Sequence, residues 1–207
     1  MMRDQFAKLR ARTEKPVNIN FFCHKAPVLD NAREARWRDQ LKPYYQEFGI
    51  DPSARVPSSN RAPFDAAFCD AIEDLKPPVV SFHFGLPADR LLARVKAAGC
   101  LVISSATTAA EALWLERQGV DAIIAQGYEA GGHRGMFLTD NLAAQVGTFA
   151  LVPQVVDAVK VPVIAAGGIG DARGIAAAFA LGASGCGSGQ PICVVRRRKY
   201  RSPTAPR

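Results

Sequence analysis

At 207 residues, 48% hydrophobic and 22% charged, the chain has the composition of an ordinary globular protein and is long enough to bury one core. No apolar run approaches the ~18 residues of a membrane span, and the charged N-terminus MMRDQFAKLRARTEK lacks the apolar stretch of a secretory signal. The net charge is +7, but residues 194–207 hold six of the cations and no acid, so the basic balance belongs to a tail and leaves the domain near neutral.

In chain order, Gln5–Thr13 has the pattern of a short helix, with Phe6 and Leu9 on one face. PVNINFF (16–22) is rich in strand formers and gives way at CHKAP, where Pro27 breaks regular structure. From Asn31 to Gly49, Ala32, Ala35, Trp37, Leu41, Tyr44, Tyr45 and Phe48 recur at helical steps, with Asp30 or Asn31 as the cap. A Pro/Ser-rich loop (50–63) leads to a helix, Phe64–Leu75, stopped by Pro77 and Pro78. A regular alternation follows. Strands VVSFHFG (79–85), CLVISSAT (100–107), VDAIIAQG (120–127) and VPVIAAGG (161–168) are separated by helices 88–99, 108–119 and 149–159 and followed by helix 171–182. Thr108 and Glu111 form a candidate capping box, and Gly99 ends the helix before it. Near-continuous apolar strands alternating with helices specify an α/β fold with a parallel sheet under helices.

The chemistry concentrates in Ala125–Gly135, AQGYEAGGHRG. Glycines let the backbone turn sharply and approach a ligand, and among them stand Gln126, Tyr128, Glu129, His133 and Arg134. A polar cluster at the C-terminal end of a parallel strand is where such folds carry their active sites. His133 is the candidate general base, since imidazole accepts a proton near neutrality. His83 and His24 follow other strands and are candidates for lining or packing. Three histidines without a carboxylate at ligand spacing do not argue for a metal. Ser104 and Ser105 have no nucleophile motif. Five cysteines, an odd number without metal-ligand spacing, point to a reduced, cytoplasmic chain with no disulfide framework.

AQGYEAGGHRG, PVIAAGGIGDARGIAAAFALGASG (162–185), NINFFCH (18–24) and SFHFGLP (81–87) together resemble the FMN-dependent nitronate monooxygenases, once called 2-nitropropane dioxygenases, of the class I type. The resemblance implies an incomplete TIM (β/α)8 barrel over residues 1–185, carrying the equivalents of strands 3–7 with a helical insertion at 27–77 and without the first two strands. It implies FMN as cofactor, with Asn20, Gln126, Gly131, Gly167 and Gly168 at flavin-contacting positions and His133 as the residue that deprotonates a nitroalkane or positions its nitronate. The substrates would be an alkyl nitronate and O2, and the products a carbonyl compound with nitrite or nitrate. In TIM barrels the loops after strands 7 and 8, with a helix N-terminus, often hold phosphate. Here Gly167, Gly168, Ile169 and the helix from Asp171 are the first half of that cup.

The second half departs from the family. Where a Gly-Thr strand is expected the chain reads CGSGQPIC, a poor strand with Pro191; Gly189 keeps the glycine but Gln190 does not replace the Thr. Codons compatible with CGSGQPIC, read one base out of phase, give VRVGTAYL, close to the expected strand. Residues 186–207 are therefore expected to be an aberrant, disordered basic tail from a shifted frame rather than a nucleic-acid arm. No GxGxxG motif is present, so no separate NAD(P) domain is expected. The alternatives are an FMN-dependent NAD(P)H reductase (enoyl-acyl-carrier or quinone) on the same barrel, a non-catalytic remnant with exposed sheet edges, or a chain completed by another that brings the missing strands.

Overall fold

A computed structural model describes residues 2–25, 28–54 and 62–187. Its centre is one six-stranded parallel sheet whose strands lie side by side in chain order. They are β1 (Asn18–Phe22), β2 (Val79–His83), β3 (Leu101–Ala106), β4 (Ala122–Gln126), β5 (Val163–Ala166) and β6 (Gly185–Gly187). Among the described residues seven α-helices accompany them: α1 (Met2–Arg10), α2 (Asn31–Glu47), α3 (Ala66–Leu75), α4 (Asp89–Ala97), α5 (Ala109–Arg117), α6 (Thr148–Ala158) and α7 (Ala172–Ala180). The register steps evenly, with Phe21 opposite Phe82, Phe82 opposite Ser104, Ser105 opposite Ile124, and Gln126 opposite Ala166. Unbroken side-by-side parallel order with a helix between most neighbouring strands is part of a (β/α)8 barrel, as expected from the sequence.

Two features go beyond the sequence reading. β6 is a real, though three-residue, strand: Gly185, Cys186 and Gly187 pair with Ile164, Ala165 and Ala166. It runs past the boundary expected at Gly185, because the free edge of β5 offers backbone partners that glycine can use as well as any residue. The expectations for Gly189, Gln190 and the basic tail lie outside the described residues. α2 forms as its periodicity requires, capped by the Asp30 carboxylate on Arg33 N at 3.0 Å, but it buries no residue. Trp37, Tyr44 and Phe48 on it and beside it are more than half exposed.

Side chains alternate between the two faces of each strand. One set, including Phe21, Val80, Phe82, Val102, Ile123 and Ala165, is buried beneath the helices with Ile72, Val95, Leu115, Leu151 and Val155. Phe64, just before α3, packs edge-on to both Phe21 and Phe82, with centroids 4.8 and 5.1 Å away. Arg94 on α4 grips Glu73 and Asp70 on α3. Among the described residues no helix is long and apolar enough to cross a membrane.

Candidate functional site

The other face of the sheet is polar where the strands end. Asn18 Nδ2 donates to Ser81 Oγ at 2.8 Å, and Ser81 Oγ donates to Asn20 Oδ1 at 2.9 Å. Asn20 is thereby fixed on β1, and its Nδ2 makes no hydrogen bond among the described residues. Phe22 at the end of β1 and His83, Ser105 and Gln126 on β2, β3 and β4 continue this face.

The glycine loop after β4 closes over it. Gln126 uses both ends of its side chain on that loop: Nε2 donates to the His133 carbonyl at 2.9 Å and Oε1 accepts from Gly135 N at 2.7 Å. The side chain expected at a flavin edge is thus first a fastener, with one amide hydrogen left over. His83 Nε2 lies 3.0 Å from the same His133 carbonyl, and its Nδ1 lies 3.0 Å from Ser105 Oγ. The His133 side chain itself is exposed. Its ring stands 4.9 Å from that of Phe22 and 6.2 Å, edge-on, from that of Phe84. Phe84 has φ +67°, a left-handed backbone that a bulky side chain rarely adopts. Such strain persists only where the surrounding structure holds it.

Two further carboxylates tie the loop down: Glu111, marked in the sequence only as a capping-box residue, and Glu129, which stands in the polar cluster with no role assigned to it. Glu111 is fully buried. Its Oε2 accepts from Thr107 N and Thr107 Oγ, both at 2.7 Å, and its Oε1 from Phe137 N at 2.7 Å and Leu138 N at 3.1 Å. The capping-box reading is half right. Thr108 Oγ accepts from Glu111 N at 3.2 Å, but the glutamate answers to Thr107 and to a segment 26 residues on. The only local sequence signal was the box itself. Glu129 Oε2 accepts from Thr148 N at 2.7 Å and Thr148 Oγ at 2.9 Å. Burial raises the Glu129 pKa, but the Thr148 donors, the residue's own backbone amide and the nearby Arg134 charge together outweigh it and hold the carboxyl below its ordinary value. Thr148 Oγ is also 2.9 Å from the Gly167 carbonyl, so one hydroxyl stands between the glycine loops after β4 and β5.

Those loops leave room for a ligand in some places and none in others. A Cβ at Gly127 would come within 2.0 Å of Thr148 Oγ, and one at Gly135 within 2.6 Å of His83 Cε1; only glycine fits either position. At Gly131, Gly132 and Gly170 a Cβ would meet nothing within 4 Å. Gly167 and Gly168 take φ +116° and +68°, and the amides of Gly168, Ile169 and Gly170 donate to no backbone carbonyl among the described residues. The N-terminus of α7 differs from the open anion site expected of it. Asp171 already occupies it, accepting from Arg173 N at 2.9 Å and Gly174 N at 3.4 Å. The Arg173 guanidinium and these amides hold the Asp171 carboxyl down to about 2.

A hollow of about 200 Å³ lies between these loops and α6 and α7, lined by Glu129, Thr148, Gly167, Gly168 and Ile169. A second, of about 460 Å³, opens beside His24, Phe84, Trp114 and Phe137. A third, of about 610 Å³, runs along α2 by Arg33 and Trp37 and touches none of the candidate residues. Burial pushes the Cys23 thiol up to about 12, so it stays protonated and is no nucleophile near neutrality.

The structure thus brings Asn20, Gln126 and His133 to one face, with Gly131 in the covering loop and Gly167 and Gly168 beside it. The chain is similar over most of its length to known proteins. The family model described as nitronate monooxygenase matches residues 1–192. A nitronate monooxygenase of Paraburkholderia phytofirmans is 46% identical over 183 residues, covering 87% of this chain and 50% of the relative. One of Pseudomonas aeruginosa is 44% identical over 178 residues, covering 86% and 51%. The chain therefore spans about half the length of the curated relatives it matches. Among solved structures, a nitroalkane oxidase from Streptomyces ansochromogenes superposes with a TM-score of 0.80 at 36% identity, covering 91% of this chain and 53% of that one. FabK from Thermotoga maritima gives 0.58 at 32% identity, covering 89% and 44%.

Proposed function

This chain belongs to the nitronate monooxygenase family, and we propose that it carries the base-bearing half of an FMN-binding barrel that oxidises alkyl nitronates, and the nitroalkanes they come from, using O2. The observation that carries the reading is the double grip on the His133 carbonyl from Gln126 and His83, which fixes the loop from beneath and leaves the imidazole itself exposed at the sheet's C-terminal end.

The residues present fit a flavin. Gly131 and Gly132 leave backbone that a planar ring can approach without meeting a side chain. Asn20 Nδ2 and the remaining Gln126 amide hydrogen are donors for the ring's polar edge. The amides of Gly168, Ile169 and Gly170 suit an anionic group such as the cofactor's phosphate. The α7 terminus does not add to them, since Asp171 fills it. When bound, FMN supplies the electron transfer between the organic substrate and O2 that no side chain here can provide.

The protein's own contribution is position and proton transfer. His133 removes the proton on the carbon bearing the nitro group of a neutral nitroalkane, and the resulting imidazolium stays beside the anionic nitronate. Phe22 and Phe84 flank that imidazole and give the substrate's alkyl part an apolar neighbour. The reaction yields a carbonyl compound and nitrite or nitrate.

The test is flavin uptake and oxygen consumption by the purified chain. Flavin fluorescence should quench on titration, and oxygen should be consumed with both 2-nitropropane and its nitronate. His133→Ala should slow the neutral nitroalkane by roughly 10²–10⁴-fold, the usual worth of a general base, and the preformed nitronate much less. No quenching, or equal rates for wild type and variant on the nitroalkane, would overturn the proposal. Rapid reduction by NAD(P)H would select the reductase instead.

A further inference from the structure

His83 is the buried member of the three histidines: it ends β2 on the polar face, while His24 is half-buried and His133 exposed. Among the described residues its ring nitrogens have one partner each, Ser105 Oγ at Nδ1 and the His133 carbonyl at Nε2, both at 3.0 Å. A carbonyl oxygen can only accept, so Nε2 carries a hydrogen. In the neutral ring Nδ1 is then an acceptor, and the Ser105 hydroxyl donates to it. Burial lowers the His83 pKa, against the opposing pull of the His133 carbonyl, which keeps that neutral form in place. The loop closes directly on the imidazole, since a Cβ at Gly135 would lie 2.6 Å from His83 Cε1.

We infer that His83 is a positioning residue for His133: held as the Nε2–H tautomer between Ser105 and the loop, it grips the His133 backbone carbonyl and so sets where the proposed base stands. It does this from β2, while Gln126 does it from β4, so the base is placed by two strands of the sheet. The functional meaning rests on the proton-transfer role proposed for His133. The hydrogen bonds themselves need neither flavin nor substrate, so the experiment can be done without them.

Two measurements on the whole chain decide it. Nitrogen-15 spectra of the histidine-labelled protein should show the neutral His83 ring as the Nε2–H tautomer; an Nδ1–H ring overturns the inference. Trypsin cleavage after Arg134, next to the gripped carbonyl, reports loop release. His83→Leu should raise that cleavage about tenfold, the usual effect of losing one buried hydrogen bond. His83→Gln, which can place a donor near the same point, should return it close to wild type. Cleavage after Arg94, on α4, should stay unchanged in both. Wild-type cleavage after Arg134 in His83→Leu overturns the inference, as does His83→Gln behaving like His83→Leu. If cleavage after Arg94 also rises in His83→Leu, that variant has unfolded, and the tautomer together with His83→Gln decides. His133→Ala keeps the carbonyl and should leave the His83 tautomer unchanged. Failure to oxidise nitronates would sink the proposed function while leaving all of these outcomes in place.

Discussion

The loop over β4 and the helix α2 have nearly opposite relations to the rest of the molecule. The loop is glycine-rich and polar, with little local propensity for any fixed shape, yet it is held at Gln126, Glu111 and Glu129 by side chains of known geometry. α2 has a cap, regular apolar spacing and 17 residues of helix, yet none of its side chains is buried. Local sequence pattern makes a helix. Order at a particular place in the fold comes from long-range partners, and here the segment weak in propensity has them.

The difference can be tested by removing partners from one region and apolar groups from the other. The largest effect is expected at Glu111. Glu111→Gln keeps the shape but replaces one fully accepting oxygen by a donor facing N–H groups, stranding buried amides at Thr107 or at Phe137 and Leu138. A loss of about 3 kcal/mol in unfolding free energy is expected, measured by urea titration, because buried donors then lack acceptors. A change near zero would mean that the loop is held without this carboxylate.

A smaller effect belongs to His83. Its folded pKa is lowered below the ordinary 6.5, so at mildly acidic pH the unfolded chain binds a proton that the folded chain excludes. The stability tied to the neutral ring is complete above 6.5 and is lost as pH falls from there through the lowered folded value. The pH-dependent loss measured between neutrality and mild acid should shrink in His83→Gln, and an unchanged profile would contradict the burial of this ring.

The smallest effect is expected on α2. Trp37 is 58% exposed, so Trp37→Ser should change unfolding free energy by no more than about 0.5 kcal/mol. A cost of several times that would show that α2 is covered in solution by something absent from its surroundings in this structure.

The same contrast explains what could be read from the sequence. Strands β2–β5 were legible because each is a largely apolar run between turn residues, β1 because it is rich in strand formers, and His133 and Gln126 because an imidazole and an amide stand among glycines at a strand end. β6 was legible only as a damaged strand, since Gly185–Gly187 has no β-branched residue to announce the pairing that the β5 edge supplies. Glu111 carried a misleading local signal: Thr-x-x-Glu suggests a box, while the partners that matter are 26 and 27 residues away. Asp171 carried an incomplete one, because a residue that starts a helix near a glycine turn can leave the terminus open to a ligand or fill it itself. The exposure of α2 could not be read at all, because periodicity records which side of a helix is apolar and not whether anything meets it.

Thr148 Oγ stands 2.9 Å from both Glu129 Oε2 and the Gly167 carbonyl, and the residue it belongs to is the first of α6. A displacement of that helix end would pull on both loops at once, the one bearing the imidazole and the one carrying the Gly168, Ile169 and Gly170 amides. The two sides of the site are therefore geared together, and a substitution that loosens this threonine would blur the alignment between them before it unfolded either.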